Sequence, residues 1–221
     1  MKTVLVTGGT IRIGKAIAEG LRARGWTVVT SSHRADAGAD VVADLAVPLG
    51  PARLYAAACE KAGGTLDAIV NNAALFTGDE ATLTAVNLEA PRKLTMMLAG
   101  KEDAKGVVVN IVDLKPYGNA YGRTKAALVE YTRKSAALFA DTLRVNAVAP
   151  GPVMAPTDVH EAAGEMLLAR RPTAADVADA VAYLLEAKAV TGVILPVDSG
   201  QHLVSGLASP ASSLTSHVSC P

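Results

Sequence analysis

The sequence has few cysteines and few aromatic residues, and neither sign of charge is in excess. Only Cys59 and Cys220 are cysteines among 221 residues, and their separation excludes metal-ligand spacing and makes a disulfide framework implausible. Lysine plus arginine and aspartate plus glutamate both number 21, so the formal net charge is zero. Nucleic-acid binders and polybasic membrane-surface proteins carry a basic excess. We therefore expect no nucleic acid, no membrane and no metal as partners.

Long hydrophobic runs are also absent. No stretch approaches the roughly 18 apolar residues of a transmembrane helix. The first apolar run, Val4 to Val6, is shorter than the h-region of a signal peptide, which spans about 7–15 residues. What the chain has is 50% hydrophobic and 19% charged residues, the composition of a globular domain. These features predict a cytoplasmic protein.

Seven short runs rich in valine, isoleucine and leucine alternate along the chain with segments of helical periodicity. The runs lack the period-two pattern of half-exposed strands, so both faces of their sheet are expected to be covered by helices. This order predicts an α/β fold of the Rossmann type, with a doubly wound parallel sheet of about seven strands. The main predicted helices cover residues 13–24, 48–63, 82–98, 120–140 and 173–187. We expect a single domain over 1–203 and a flexible, serine-rich tail over 204–221.

A glycine-rich turn, TGGTIRIG at 7–14, lies between the first strand and the first helix. Glycines at such a turn let the backbone approach a pyrophosphate, to which the helix N-terminus offers N–H donors. A tight turn alone would account for the glycines, but the position between strand and helix favours nucleotide binding. The residues expected at the cofactor are Gly8, Thr10, Arg12, Ile13 and Gly14.

The end of the second strand indicates which nicotinamide cofactor fits. An acidic residue there would bind the ribose hydroxyls of NAD, whereas arginine accommodates the 2′-phosphate of NADP. The chain has Ser32, His33 and Arg34 at this point and no acid before Asp36, which favours NADP(H). A solvated basic loop is the alternative. The ends of the third and fourth strands are also expected beside the nucleotide: Asp44, Leu45, Asn72, Ala73 and Ala74.

Tyr121 and Lys125 are four residues apart and share one face of a predicted long helix. A phenol has a reference pKa near ~10. A nearby ammonium and a cationic nicotinamide favour the phenolate, which would make the tyrosine usable for proton transfer near neutral pH.

The chain resembles a short-chain dehydrogenase/reductase over roughly residues 1–203. The motifs that carry the resemblance are TGGTIRIG at 7–14, NNAA at 71–74, VNLEAP at 86–91, YGRTK at 121–125 and RVNAVAPGPV at 144–153. The resemblance implies that Tyr121 donates the proton and that Lys125 lowers its pKa and holds the nicotinamide ribose. It also implies that Asn87 anchors a water leading to the lysine. Further cofactor contacts are implied for Pro150, Gly151 and Val153.

One departure from that family narrows the range of candidate substrates. The family's catalytic serine should end the strand before the tyrosine helix, but this position holds Asp113, and residues 110–119 contain no serine or threonine. The pteridine reductase branch is similar here, with aspartate in that place. The branch resemblance implies that Arg12 faces the cofactor phosphates and the substrate, and that Phe76 stacks on the pterin ring. The substrate residues are thus Arg12, Phe76, Asp113 and Tyr121.

A second departure concerns the loop before the tyrosine. Asp113 and Tyr121 are only eight positions apart, whereas the family usually has about thirteen. The shortened loop predicts a more open pocket, and it contains Tyr117 as a second tyrosine.

Three functions follow from these residues. The first is an NADPH-dependent reductase of a dihydropterin such as dihydrobiopterin, dihydromonapterin or dihydrofolate. The second is a carbonyl or imine reductase such as a 3-oxoacyl-carrier-protein reductase, which a serine at 113 would have favoured. The third is a nucleotide-binding sensor or scaffold, which the loss of Tyr121 or Lys125 would have favoured. Related reductases imply a homotetramer or homodimer.

Overall fold

The computed structural model describes residues 2–101, 105–115, 117–153 and 165–204. Its centre is one parallel sheet of seven strands in the order β3-β2-β1-β4-β5-β6-β7. The predicted α/β class and doubly wound sheet are confirmed. The strands are β1 Thr3–Thr7, β2 Thr27–Ser32, β3 Val41–Val42, β4 Ala68–Asn71, β5 Gly106–Ile111, β6 Leu143–Pro150 and β7 Ile194–Val197.

Helices cover both faces of the sheet. They are α1 Arg12–Ala23, α2 Gly50–Lys61, α3 Glu80–Thr84, α4 Ala90–Ala99, α5 Ala120–Leu138, α6 Ala174–Glu186 and α7 Gln201–Val204. Thr173 caps α6, since its side chain accepts from the backbone N–H of Asp176 within a full capping box.

The helix predicted over 82–98 differs from the structure in two ways. It begins earlier, at Glu80, because the Asp79 side chain accepts a hydrogen bond from the backbone N–H of Thr82 at 2.9 Å. A π turn, Ala85–Glu89, then separates α3 from α4.

The core explains why the strands show no alternation of apolar and polar residues. All five residues of β1 are buried. Val4 and Val6 belong to the core layer of α1 and α6, whereas Leu5 belongs to the layer of α2 and α4. Successive side chains of a strand face opposite sides of its sheet. A strand covered on both sides is therefore apolar at every position.

The strand order reverses at β1, which pairs with β2 on one side and with β4 on the other. In doubly wound sheets, ligands bind at the carboxyl ends of the strands beside such a reversal. Thr7, the last residue of β1, accepts hydrogen bonds at Oγ1 from the backbone N–H groups of Asn72 and Ala73, at 2.9 and 3.0 Å. These hydrogen bonds hold the segment after β4 beside the carboxyl end of β1, where the strand order reverses.

The predicted tail falls mostly outside the described residues. Val204 ends the short helix α7, which was not predicted, and 205–221, with Cys220, are not among the described residues. Among the described helices, none combines the length and the apolar character needed to cross a membrane.

Candidate active site

The glycine-rich turn forms a narrow backbone cradle. Gly8 has a φ of +62°, which favours glycine. A Cβ on Gly14 would lie 2.1 Å from the Gly8 carbonyl oxygen and 2.5 Å from Nδ2 of Asn72, so no larger residue fits without a shift. Nδ2 of Asn72 donates to the carbonyls of Thr7 and Gly8, at 2.9 and 3.2 Å. Arg12, in the same turn, has a φ of +50°.

A cleft of about 700 Å³ extends from this cradle along the ends of β1 to β4. Its volume is in the range of known cofactor sites. The structure brings most of the residues predicted at the cofactor together on its walls: Gly8, Thr10, Arg12, Ile13, Gly14, Ser32, His33, Arg34, Asp44, Leu45, Asn72, Ala73 and Ala74. Nine further wall residues were not among those predicted at the cofactor: Ile11, Ser31, Asp36, Ala37, Ala43, Ala46, Leu75, Thr82 and Val86.

Arg34 is already bound by an acidic neighbour. Its Nε donates to Oδ1 of Asp36 at 3.0 Å, and its Nη2 donates to Oδ2 at 2.7 Å. These hydrogen bonds, followed by the attraction between the charges, raise the pKa of Arg34 and lower the pKa of Asp36. A phosphate that reaches Arg34 would therefore compete with the carboxylate of Asp36.

Asp113 and Tyr121 meet at the chemical end of the site. The Tyr121 hydroxyl donates to Oδ2 of Asp113 at 3.2 Å, while Oδ1 accepts from the backbone N–H of Lys115 at 2.9 Å. Burial raises the pKa of Asp113. Burial and the charge of Asp113 also raise the pKa of Tyr121 well above its usual range. The net shift of the Tyr121 pKa is thus upward in the chain without its cofactor, and the expectation that Lys125 and a cationic nicotinamide favour the phenolate stays a prediction.

Lys125 is 4% exposed. Its Nζ donates to the Ile111 carbonyl at 2.8 Å and lies 5.8 Å from the centroid of the Tyr121 ring. Burial lowers its pKa to about 8. The lysine is thus held behind the tyrosine, with its ammonium on the end of β5.

Three aromatic rings form a wall beside the Tyr121 hydroxyl. The Phe76 centroid lies 4.6 Å from that of Tyr121 and 5.7 Å from that of Tyr117, and the two tyrosine centroids are 5.4 Å apart. Phe76 is 47% exposed, so about half of the residue remains accessible. Gly122 permits this packing, because a Cβ there would lie 2.1 Å from the Tyr117 carbonyl oxygen. The shortened loop thereby places its own tyrosine against the predicted proton donor.

Asn87 lies in the π turn, and its side chain is committed to other groups than Lys125. Its Oδ1 accepts from the Leu75 backbone N–H, and its Nδ2 donates to the Leu75 carbonyl, both at 2.8 Å. Nδ2 also donates to Oγ1 of Thr124 at 3.2 Å. These bonds fix the segment that carries Phe76, and the predicted water-mediated role toward the lysine stays a prediction.

A second recess, which we call the Asp113 recess, lies between the ends of β5, β6 and β7. Its lining residues are Asp113, Leu114, Lys115, Ala149, Pro150, Gly151, Asp198, Gln201 and His202. The predicted residues Pro150 and Gly151 lie here, whereas the predicted Val153 packs against the core layer of α1 and α6. Sequence reasoning missed Asp198 and His202. An acid and a histidine four residues apart directly after the last strand were the available signal.

Comparison with known proteins agrees with this geometry. The model of the family described as enoyl-(acyl carrier protein) reductase matches residues 11–202. The solved structure of FolM alternative dihydrofolate reductase 1 from Brucella canis, complexed with NADP, is 33% identical, with a TM-score of 0.83, and the match covers 96% of this chain and 98% of that one.

Two curated relatives show how varied the similar proteins are. Glucose 1-dehydrogenase 2 of Bacillus subtilis is 32% identical, over 91% of this chain and 95% of the relative. The NADP-dependent (R)-specific alcohol dehydrogenase of Lentilactobacillus kefiri is 30% identical, over 90% of this chain and 96% of the relative. The chain belongs to the short-chain dehydrogenase/reductase family of oxidoreductases.

Proposed function

We propose that this protein is an NADPH-dependent reductase that transfers hydride to a dihydropterin and gives the tetrahydro form. The observation that carries the proposal is the hydrogen bond from the Tyr121 hydroxyl to Asp113, with the ring of Phe76 packed on the same tyrosine. A carboxyl group at this point suits a substrate whose reacting atom is a ring nitrogen. The FolM structure, named as a dihydrofolate reductase, supports the same reading.

The residues of the cleft fit NADP. The cradle at Gly8 and Gly14 leaves room for a pyrophosphate against the backbone, and Ser32, His33 and Arg34 offer hydroxyl and cationic groups for a 2′-phosphate. The reduced cofactor supplies the hydride when bound. Lys125, behind Tyr121, is the residue that would hold the nicotinamide ribose.

Proton delivery follows from the contacts of Tyr121. Because its pKa is raised, the phenol keeps its proton at neutral pH, as a donor in the reductive direction requires. A dihydropterin carries a C=N bond, and reduction places hydride on the carbon and the Tyr121 proton on the nitrogen. Asp113, whose own pKa is raised, orients the phenol and can return a proton to it. The exposed part of Phe76 offers offset stacking to a flat ring, worth on the order of 0.5–1.5 kcal/mol.

The proposal is tested by following NADPH oxidation at 340 nm with purified protein. Dihydrobiopterin, dihydromonapterin, dihydrofolate and an acetoacetyl thioester are supplied in parallel. Turnover confined to the dihydropterins is the expected result. Turnover confined to the thioester would contradict the proposal, because Asp113 and Phe76 would then have no pterin-specific role.

A carbonyl or imine reductase is the second candidate. The family model named for an enoyl-(acyl carrier protein) reductase and the alcohol dehydrogenase relative favour it. The replacement of the expected serine by Asp113 weighs against it. A screen of ketones with NADPH separates the two candidates.

A single catalytic domain over 1–203, a homotetramer or homodimer and a cytoplasmic location also belong to the proposal. Met96 of α4 and Leu138 of α5 are 58% and 75% exposed. Both helices therefore present apolar side chains that a second copy would cover. Light scattering on the purified protein measures the oligomeric state, and a monomer would contradict this part.

A further inference from the structure

A histidine–aspartate pair lies beside the reacting groups and has no part in the mechanism above. Asp198 directly follows β7, and His202 lies in α7. Oδ2 of Asp198 accepts hydrogen bonds from Nδ1 and from the backbone N–H of His202, both at 2.8 Å. Oδ1 accepts from the backbone N–H of Gly200 at 3.0 Å. Both carboxylate oxygens are occupied, and the imidazole is thereby held in one orientation.

Burial and close packing fix the pair against the end of β6. Asp198 is 6% exposed. A Cβ on Gly151 would lie 2.6 Å from both Cα and Cβ of Asp198, so the chain approaches the aspartate as closely as glycine allows. The side chain of His202 is 30% exposed at the recess, whose free volume of about 10 Å³ is that of one water, so the edge of a ligand reaches it from the mouth of the recess.

Asp113 connects this pair to the reacting centre. Asp113 and His202 line the same recess, and Asp113 is also the acceptor for the Tyr121 hydroxyl. Because the Asp198 carboxylate can only accept, Nδ1 of His202 donates to it, and Nε2 is the ring nitrogen that is left to accept a hydrogen bond from a ligand. Among the residues that the structure describes, none is hydrogen-bonded to Nε2 of His202. The recess thus contains an oriented acceptor that is available to a ligand.

We propose that His202, oriented by Asp198, positions the substrate by accepting a hydrogen bond at Nε2 from a ring N–H or exocyclic amino group of a planar heterocycle. This inference rests on the proposed function, because a dihydropterin carries such donors along its ring edge and a simple ketone carries none. His202 therefore favours heterocyclic substrates over ketones.

Steady-state kinetics of the full-length protein with NADPH and dihydrobiopterin test the inference. The variant His202→Asn keeps an N–H for Asp198 and removes the atom at the Nε2 position. We expect KM for dihydrobiopterin to rise about threefold to tenfold, while kcat and the KM for NADPH stay within about twofold. The variant His202→Gln, whose amide reaches the Nε2 position, is expected to restore most of the wild-type KM. Leu203→Ala, at the exposed neighbouring residue, is the matched control and should behave as wild type.

The outcomes separate this inference from the function on which it rests. An unchanged KM for dihydrobiopterin in H202N overturns the inference and leaves the proposed function standing. A parallel rise in the KM for NADPH, or no recovery in H202Q, also overturns it, because the histidine would then support the fold and not the substrate. Wild-type protein that oxidises NADPH with none of the dihydropterins refutes the proposed function, and the inference with it.

Discussion

The cofactor cleft and the chemical end of the site are held together by different kinds of contact. In the cleft, backbone approaches backbone, as at Gly14, where a missing Cβ leaves room beside the Gly8 carbonyl. At the chemical end, side chains from strand ends that are far apart in sequence line one recess, as Asp113 and His202 do. The cleft contains exposed charges such as Arg34, whereas Lys125 and Tyr121 are largely withdrawn from solvent.

Because of this difference, the two regions contribute different properties to the enzyme. A cradle made of backbone recognises a shape shared by many nucleotides, so it determines affinity for the cofactor. Buried side chains with shifted pKa values determine which proton moves and when. Variants in the cleft should therefore alter the binding of NADPH, and variants at the chemical end should alter kcat, the KM for the substrate or the stability of the protein.

The largest expected effect is that of Tyr121→Phe. Loss of the hydroxyl removes the proton donor, so kcat with dihydrobiopterin should fall by about 10²–10⁴-fold while the Kd for NADPH stays near the wild-type value. Stopped-flow turnover and fluorescence titration with NADPH measure the two quantities. Tyr131→Phe, in the same helix and outside the site, is the control. A near-normal kcat in the Tyr121→Phe enzyme would mean that another group donates the proton.

Gly14→Ala should produce the largest effect in the cleft. The added Cβ would lie 2.1 Å from the Gly8 carbonyl oxygen, so the cradle has to shift, and we expect affinity for NADPH to fall about a hundredfold. Calorimetric titration measures the Kd. Gly20→Ala, in the same helix, meets Ala178 at 3.2 Å and should leave the Kd unchanged. Equal losses in both variants would point to a general effect on α1 and not to the cradle.

Lys125→Met tests the cost of the buried ammonium. The folded pKa of about 8 lies below the ordinary 10.5, so burial of the charged lysine destabilises the ligand-free protein below pH 8, and this cost is relieved as pH rises toward 10.5. Lys125→Met should raise the free energy of unfolding at pH 7 by roughly 1–3 kcal/mol, although turnover is lost. Urea unfolding measures this gain, which should shrink between pH 8 and pH 10.5.

The control for that comparison is Lys134→Met, on the same helix. Lys134 is exposed and pairs with Glu130 at 2.6 Å, so its loss should give no gain in stability and no such dependence on pH. A gain for Lys125→Met that is constant from pH 7 to pH 10.5 would mean that packing, and not the charge, is responsible.

The smallest expected effects are those of the exposed pair in the cleft. Arg34→Ala should raise the KM for NADPH about tenfold and spare NADH, because only NADPH has a 2′-phosphate. Asp36→Asn should act in the opposite direction, with a KM for NADPH about twofold to threefold lower, since the phosphate no longer competes with the carboxylate. If Asp36→Asn raised the KM for NADPH, the aspartate would be a supporting residue of the phosphate site.

The sequence predicted the cleft better than the chemical end, for a physical reason. The residues of TGGTIRIG lie on one strand–turn–helix unit, so local spacing is enough to place them together. Asp113 and Tyr121, both predicted at the substrate, are hydrogen-bonded to each other, since they flank one short loop. Asp198 and His202 were not connected with Asp113, because their proximity depends on strand order across β5, β6 and β7. The upward shift of the Tyr121 pKa in the chain without its cofactor was not predicted, because it depends on burial and on the distance to Asp113, which no pattern provides.

The π turn at Ala85–Glu89 has a consequence for how this chain tolerates insertions and deletions. Each residue of an α-helix turns the chain by about 100°, and a π turn accommodates one residue more than an α-turn does. Deletion of one residue between 85 and 89 would allow a continuous α-helix, but it would rotate α3 against α4 by about 100°. Asn87 would then lose its two hydrogen bonds to the backbone of Leu75, and the segment that carries Phe76 would no longer be fixed. A deletion at Gly63 or Gly64 lies in the exposed connection before β4, so it changes no rotation between two continuous helices.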